Sequence, residues 1–220
     1  MSDAIVRPDT PLGYAQSACD TMMRRYAAAD LPPKGHFHYH QGVFLSGVYK
    51  TYQLCGNEAY FSYMKDWIDS VFTEDGRIKN DYKHGDLDDI QPGILLFPLL
   101  EKTGDEKYRK CIEFVAAQLP DVPLCKCGGL YHKVSLTGQM WLDGLYMAGP
   151  FAAEYAHGNA DQKTLQEQAE QWADIHAHHT AFQHRQANVV DPRIAADDAA
   201  GICHDLLGYI KYGHDDVKSV

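Results

Sequence analysis

The stretch QMWLDGLYM (139–147) places Asp143 among Met140, Trp141, Leu142, Leu145, Tyr146 and Met147. A carboxylate among large apolar side chains is costly unless it is paired or used. A second acidic run, HGDLDDIQPG (84–93), carries Asp86, Asp88 and Asp89. Two carboxyls in one apolar-walled pocket cannot both ionise cheaply, so one holds its proton into the neutral range. Such a carboxyl is a general acid at neutral pH. Helix N-termini oppose this, because they favour the charged form. The dipole alone accounts for Asp86 and Asp89 as ordinary first-turn acids. Asp143 lies deeper, inside an apolar stripe, and is the stronger functional candidate.

The histidine and cysteine clusters are less specific. HFHYH (36–40) looks like a metal cluster, but its residues alternate and suit an aromatic pocket wall equally well. CKCGGLYH (125–132) has a Cys-x-Cys and a later His, without the second Cys pair that zinc sites use. No phosphate loop, nucleophile elbow or Walker pattern occurs. No metal site is expected from these clusters.

These residues are carried on a repeat. QLCGNEAYFSYM (53–64), EKTGDEKYRKCI (101–112) and EYAHGNADQKTL (154–165) each end one helix, turn at Gly, and start another after Asn or Asp. Gly56, Gly104 and Gly158 suit a helix C-terminus with positive φ. Asn57, Asp105 and Asn159 suit an N-cap. The glycines lie 48 and 54 residues apart, a spacing that points to repeated helical pairs. The helix before each turn is apolar almost all round, and the one after it is amphipathic. Buried inner and exposed outer helices follow. The small residues Gly42, Ser46, Gly47, Gly93, Gly144, Ala148 and Gly149 suit close inner packing. EDGRI (74–78) and CGGLYHKV (127–134) read as short hairpins or extended loops. The fold class is all-α, a toroid or solenoid of helical hairpins. The inner helices open at Tyr39, His40 and Gln41, at Asp86 to Asp89, and at Ser135 or Thr137. Parallel inner helices would gather Tyr39, His40, Asp88, His132 and Asp143 at one mouth.

Composition narrows the function. A net charge of −10 and a pI of about 5.5 disfavour a nucleic-acid partner, which needs a basic surface. No apolar run approaches the roughly 20 residues of a membrane span. The start MSDAIVRPDT has no signal-peptide pattern, so a cytoplasmic location is expected. The six cysteines, at 19, 55, 111, 125, 127 and 203, read as reduced, small apolar residues. The 220 residues suit a single domain spanning 1–220.

LPPKGHFHYHQGVFLSGV, LDDIQPGILLFPL, GGLYHK and QMWLDGLYMAGPF, in this order, resemble the unsaturated rhamnogalacturonyl hydrolases, glycoside hydrolase family 105. The resemblance covers about residues 10–180. It implies an (α/α)6 toroid and a cytoplasmic enzyme of pectin breakdown acting on unsaturated galacturonyl-rhamnose. Such enzymes hydrate the C4=C5 enol-ether double bond of the terminal uronic acid, and the resulting hemiketal opens and expels the remaining sugar. The family's general acid falls on Asp143 and its partner carboxylate on Asp88. Substrate-pocket positions fall on Tyr39, His132 and Trp141; His40, beside Tyr39, joins them from the residue reading. No cofactor is implied. Two other readings stay open: an inverting glycosidase on saturated oligosaccharides, which also uses two carboxylates, and a non-catalytic family member.

After about residue 180 the resemblance stops. Residues 180–220 read as a divergent tail in place of the family's C-terminal half. Six hairpins need about 300 residues, so three to four are expected here. A truncated gene product is one expectation, and self-association through the open edge of an incomplete toroid is another.

Overall fold

The computed structural model describes residues 9–79, 86–123, 130–136, 141 and 143–159. They are helical: α1 (Pro11–Arg25), α2 (Tyr39–Cys55), α3 (Glu58–Val71), α4 (Leu96–Thr103), α5 (Glu106–Ala116) and α6 (Gly144–Asn159). Short 3-10 turns occupy Ala28–Asp30, Leu87–Asp89, Gln91–Leu95 and Leu119–Asp121. Among the described residues β structure amounts to isolated bridging, as between Phe72 and Ile78. The chain divides into two compact units, residues 1–82 with 95–114 and residues 83–94 with 115–220. The tail from 180 onward lies outside the described residues.

The first unit holds two hairpins, each turned as the sequence predicts. Gly56 ends α2 with φ 71°, and the Asn57 side chain accepts from the Ala59 N–H at 3.1 Å. Gly104 ends α4 with φ 67°, and Asp105 Oδ1 accepts from the Lys107 N–H at 2.9 Å. Left-handed backbone at the helix end followed by an Asx cap satisfies the orphaned groups of both helices. Helix α1 lies outside the predicted hairpin repeat, and its cap is orthodox. The Thr10 hydroxyl accepts from the Gly13 N–H at 3.0 Å, Pro11 opens the helix, and Arg24 and Arg25 close it.

The core of this unit gathers on α3. Tyr60, Met64, Trp67 and Ile68 are buried, and Phe37 stacks on Trp67 and meets Phe72 edge-on. Tyr60 donates to Asp20 of α1 at 2.8 Å, and Tyr63 donates to the Tyr26 carbonyl at 3.1 Å. Here the expected contrast of inner and outer helices needs correction. The amphipathic α3 buries one face as expected, but the apolar α2 is not buried all round: Leu45 and Val48 are buried, while Val43 and Leu54 are exposed. Composition counts apolar residues, whereas burial depends on how many faces neighbouring helices cover.

Between Phe72 and Lys79 the chain turns on Thr73 and Gly76. The Thr73 N–H donates to the Arg77 carbonyl at 2.8 Å and Gly76 has φ 80°. A Cβ on Gly76 would lie 2.6 Å from Lys110 Cβ, so this loop packs hard onto α5. Lys107, nearly buried, pairs with Asp69 at 3.0 Å and Glu74 at 2.9 Å, and Tyr108 donates to Asp69 at 3.0 Å.

The second unit carries α6 and the turns around Asp88. The segment predicted as one inner helix is two 3-10 turns, Leu87–Asp89 and Gln91–Leu95, leading into α4. Pro92 lacks an N–H, and at Gly93 an added Cβ would meet the Phe151 ring at 2.6 Å. The backbone tightens where α6 comes closest. Leu87, Ile90, Val115, Val122, Met147, Ala148 and Phe151 are buried around this point. Close packing at small residues is thus seen at Gly93 and at Gly144, where a Cβ would lie 3.2 Å from Leu87. It is not seen at Gly47 or Gly149, which have nothing within 4 Å. Gly158 also differs from expectation, since α6 runs through it to Asn159 and its φ is not positive.

Candidate active site

Two hydrogen bonds, one between backbone groups and one to a side chain, fasten the 86–89 turn to the 131–134 segment. The Leu87 N–H donates to the His132 carbonyl at 3.1 Å, and the Val134 N–H donates to Asp86 Oδ1 at 3.0 Å. Asp86 occupies the expected cap position, but its carboxylate serves this tie rather than its own helix. Asp88 and His132 are driven inward by the same geometry, each with a side chain only 2% exposed.

His132 stands between two carboxyls. Its Nε2 lies 3.4 Å from Asp88 Oδ1, and its Nδ1 lies 3.7 Å from Asp143 Oδ1. Trp141 stacks on the imidazole at 4.3 Å between centroids, with the planes 7° apart. Lys133 Nζ pairs with Asp88 Oδ2. Asp88 is therefore a buried carboxylate facing an ammonium and an imidazole, the arrangement that makes burial of a charge tolerable.

Asp143 is placed differently from expectation. Helix α6 begins at Gly144, so Asp143 precedes it, and its carbonyl accepts from the Met147 N–H at 2.9 Å. Its side chain is 49% exposed, and Trp141 is 43% exposed. Neither belongs to the buried stripe of a helix. Gly144 lets the first turn of α6 pack against Leu87 and His132, and Trp141 and Asp143 lie upstream of that turn. Ser135 lies upstream of the helix, and Thr137 lies outside the described residues.

Among the described residues the carboxyl of Asp89 is pushed upward, to about 7. Burial is the largest cause, followed by repulsion from Asp86 and Asp88, with Lys133 opposing. From sequence, Asp89 reads as an ordinary first-turn acid, and Lys133 is not singled out. Three acids within four residues, flanked by Leu87 and Ile90, were the available signal for Asp89. Lys133 follows His132 directly in GGLYHK.

Tyr39 and His40 open α2 in the first unit, as expected. Their rings stack at 4.1 Å, and His38 lies 4.7 Å from His40 with Nδ1 atoms 2.8 Å apart. Gln41, next in line, is buried and donates from Nε2 to the Leu31 and Pro33 carbonyls, which makes it a tether for that loop. Among the described residues no three His, Cys, Asp or Glu side chains are grouped to hold a metal ion. No described helix is long and apolar enough to cross a membrane.

The family model described as Glycosyl Hydrolase Family 88 matches residues 14–191. The chain belongs to this family. Solved structures similar to this family 88 chain include a family 105 glycoside hydrolase of C. acetobutylicum ATCC 824. That structure is 28% identical with a TM-score of 0.64, and the match covers 74% of this chain and 44% of that one. A possible family 105 member from Klebsiella pneumoniae subsp. pneumoniae MGH 78578 is 18% identical with a TM-score of 0.58, which speaks to fold alone. There the match covers 87% of this chain and 52% of the other. The family 88 chain thus spans about half the length of these structures. The all-α class expected from sequence, a hairpin toroid of which this chain spans part, agrees with both likenesses.

Proposed function

We propose that this chain is a glycoside hydrolase of unsaturated pectin oligosaccharides, acting in the cytoplasm on unsaturated galacturonyl-rhamnose. The observation that carries the reading is the line Asp88–His132–Asp143, with one carboxyl buried and ion-paired and the other half exposed. An enol ether is protonated at the carbon remote from its oxygen, here C4 of the uronic acid. Asp143, the accessible carboxyl, delivers that proton. Positive charge then develops on C5 and the ring oxygen. Asp88, buried and ion-paired with Lys133, faces that charge and stabilises it electrostatically. Water adds at C5, and the hemiketal opens and releases the aglycone. Trp141 supplies a face for a sugar ring and His132 a polar contact, and the family resemblance assigns Tyr39, with His40 beside it, to substrate binding as well. The family resemblance and the family 88 match support this assignment of roles.

The test is incubation in D2O with the unsaturated disaccharide, beside its saturated counterpart. The reading expects deuterium at C4 of the product and no action on the saturated sugar. Cleavage of the saturated sugar would instead favour direct inverting hydrolysis by the same two carboxyls.

A further inference from the structure

We propose that His132 is a positioning residue that keeps the catalytic proton on Asp143, by offering it the unprotonated Nδ1 of a neutral imidazole. This rests on the reading of Asp143 as the acid. The tautomer follows from the surroundings. Asp88 is buried and paired with Lys133, so its oxygens only accept. The ring nitrogen facing it at 3.4 Å is Nε2, which therefore carries the hydrogen. In a neutral ring that leaves a lone pair on Nδ1. Among the described residues this buried atom has no hydrogen-bond partner. The nearest ionisable oxygen is Asp143 Oδ1, at 3.7 Å.

Two acceptors facing each other repel, and a carboxyl with its proton turns that contact into a hydrogen bond. A small rotation of the half-exposed Asp143 side chain would close the gap to the roughly 2.7–2.9 Å that such a bond needs. The alternative is an imidazolium donating to both carboxylates. It puts a cation where the ring is 2% exposed, although Lys133 already balances Asp88. The other charged groups here are Asp86, whose carboxylate accepts from Val134, and Asp89, which holds its proton up to about 7. The α6 N-terminus favours an ionised Asp143 and opposes the arrangement. Nδ1 also sits 3.6 Å from where a Cβ on Gly144 would be, so glycine there leaves the approach open.

The experiment is imidazole 15N NMR on the whole chain, assigned through the only His-Lys step in the sequence, His132–Lys133. The expected spectrum at neutral pH shows Nε2 protonated and Nδ1 as a hydrogen-bonded acceptor. In Asp143→Ala the Nδ1 signal moves toward that of a free acceptor while Nε2 stays. In Asp143→Asn, whose amide can donate, the Nδ1 signal stays near the wild-type position. A protonated Nδ1 at neutral pH, or an Nδ1 shift indifferent to Asp143→Ala, would overturn the proposal. The readout does not need turnover. The expected spectrum in a chain that never hydrates the double bond would uphold the proton placement and reject the substrate assignment.

Discussion

Access to solvent and a raised affinity for the proton sit on two different carboxyls, Asp143 and Asp89. Asp143 has access, at 49% exposure, and Asp89 has the raised affinity for its proton. The second property gives a pH-dependent stability. Asp89 binds its proton up to about 7 in the folded chain and up to about 4 in the unfolded one. The folded state then holds more protons between these values, so stability is fully present below about pH 4 and falls as pH rises through 7. Asp89→Asn removes that term. Urea unfolding should show the variant gaining on wild type at pH 8 relative to pH 4, and a difference independent of pH would contradict the assignment. Lys133→Met tests the neighbouring pair. It leaves the Asp88 carboxylate buried with one partner fewer, and Lys133 is 28% exposed, so a loss of about 1–3 kcal/mol is expected, smaller than for a fully buried pair.

At the scale of elements, what the sequence made legible was what local rules decide. Gly56 with Asn57 and Gly104 with Asp105 ended and restarted helices as predicted, because a cap depends on neighbours within one turn. Asn57→Ala should cost about 1 kcal/mol in chemical denaturation, without loss of fold. Gly158 matched the same local pattern and remained helical, so the motif alone does not decide the outcome. The site was legible as a set of residues and not as an arrangement. The start of α6 was misplaced because it depends on Leu87 meeting Gly144 across 57 positions of sequence, a contact that periodicity within QMWLDGLYM does not encode. The same holds for Gly93, whose neighbour is Phe151. Gly93→Ala should lower stability by about 1–3 kcal/mol through overpacking, read as a fall in Tm, and Phe151→Leu should recover part of it.

For the molecule as a whole, the family 105 resemblance of the four motifs is borne out by the family 88 match over 14–191 together with the likeness to family 105 structures. Spanning about half of the solved structures it resembles, the chain carries Asp88, His132 and Asp143 together in one unit. The net charge of −10 has its own consequence for a uronate substrate, which is an anion. The global field slows its approach, so kcat/KM should rise about two- to threefold as salt screens the repulsion, with kcat little changed. A fall with salt would mean that local cations such as Lys133 govern capture. The central claim is that Asp143 protonates an enol ether. The most direct test follows the ultraviolet absorbance of unsaturated galacturonyl-rhamnose with the wild-type chain and with Asp143→Asn, both shown to be folded by circular dichroism. The account predicts steady loss of the double bond with wild type and a rate at least about 100-fold lower with the variant. Equal rates in the two, or no loss with a folded wild-type chain, would contradict it.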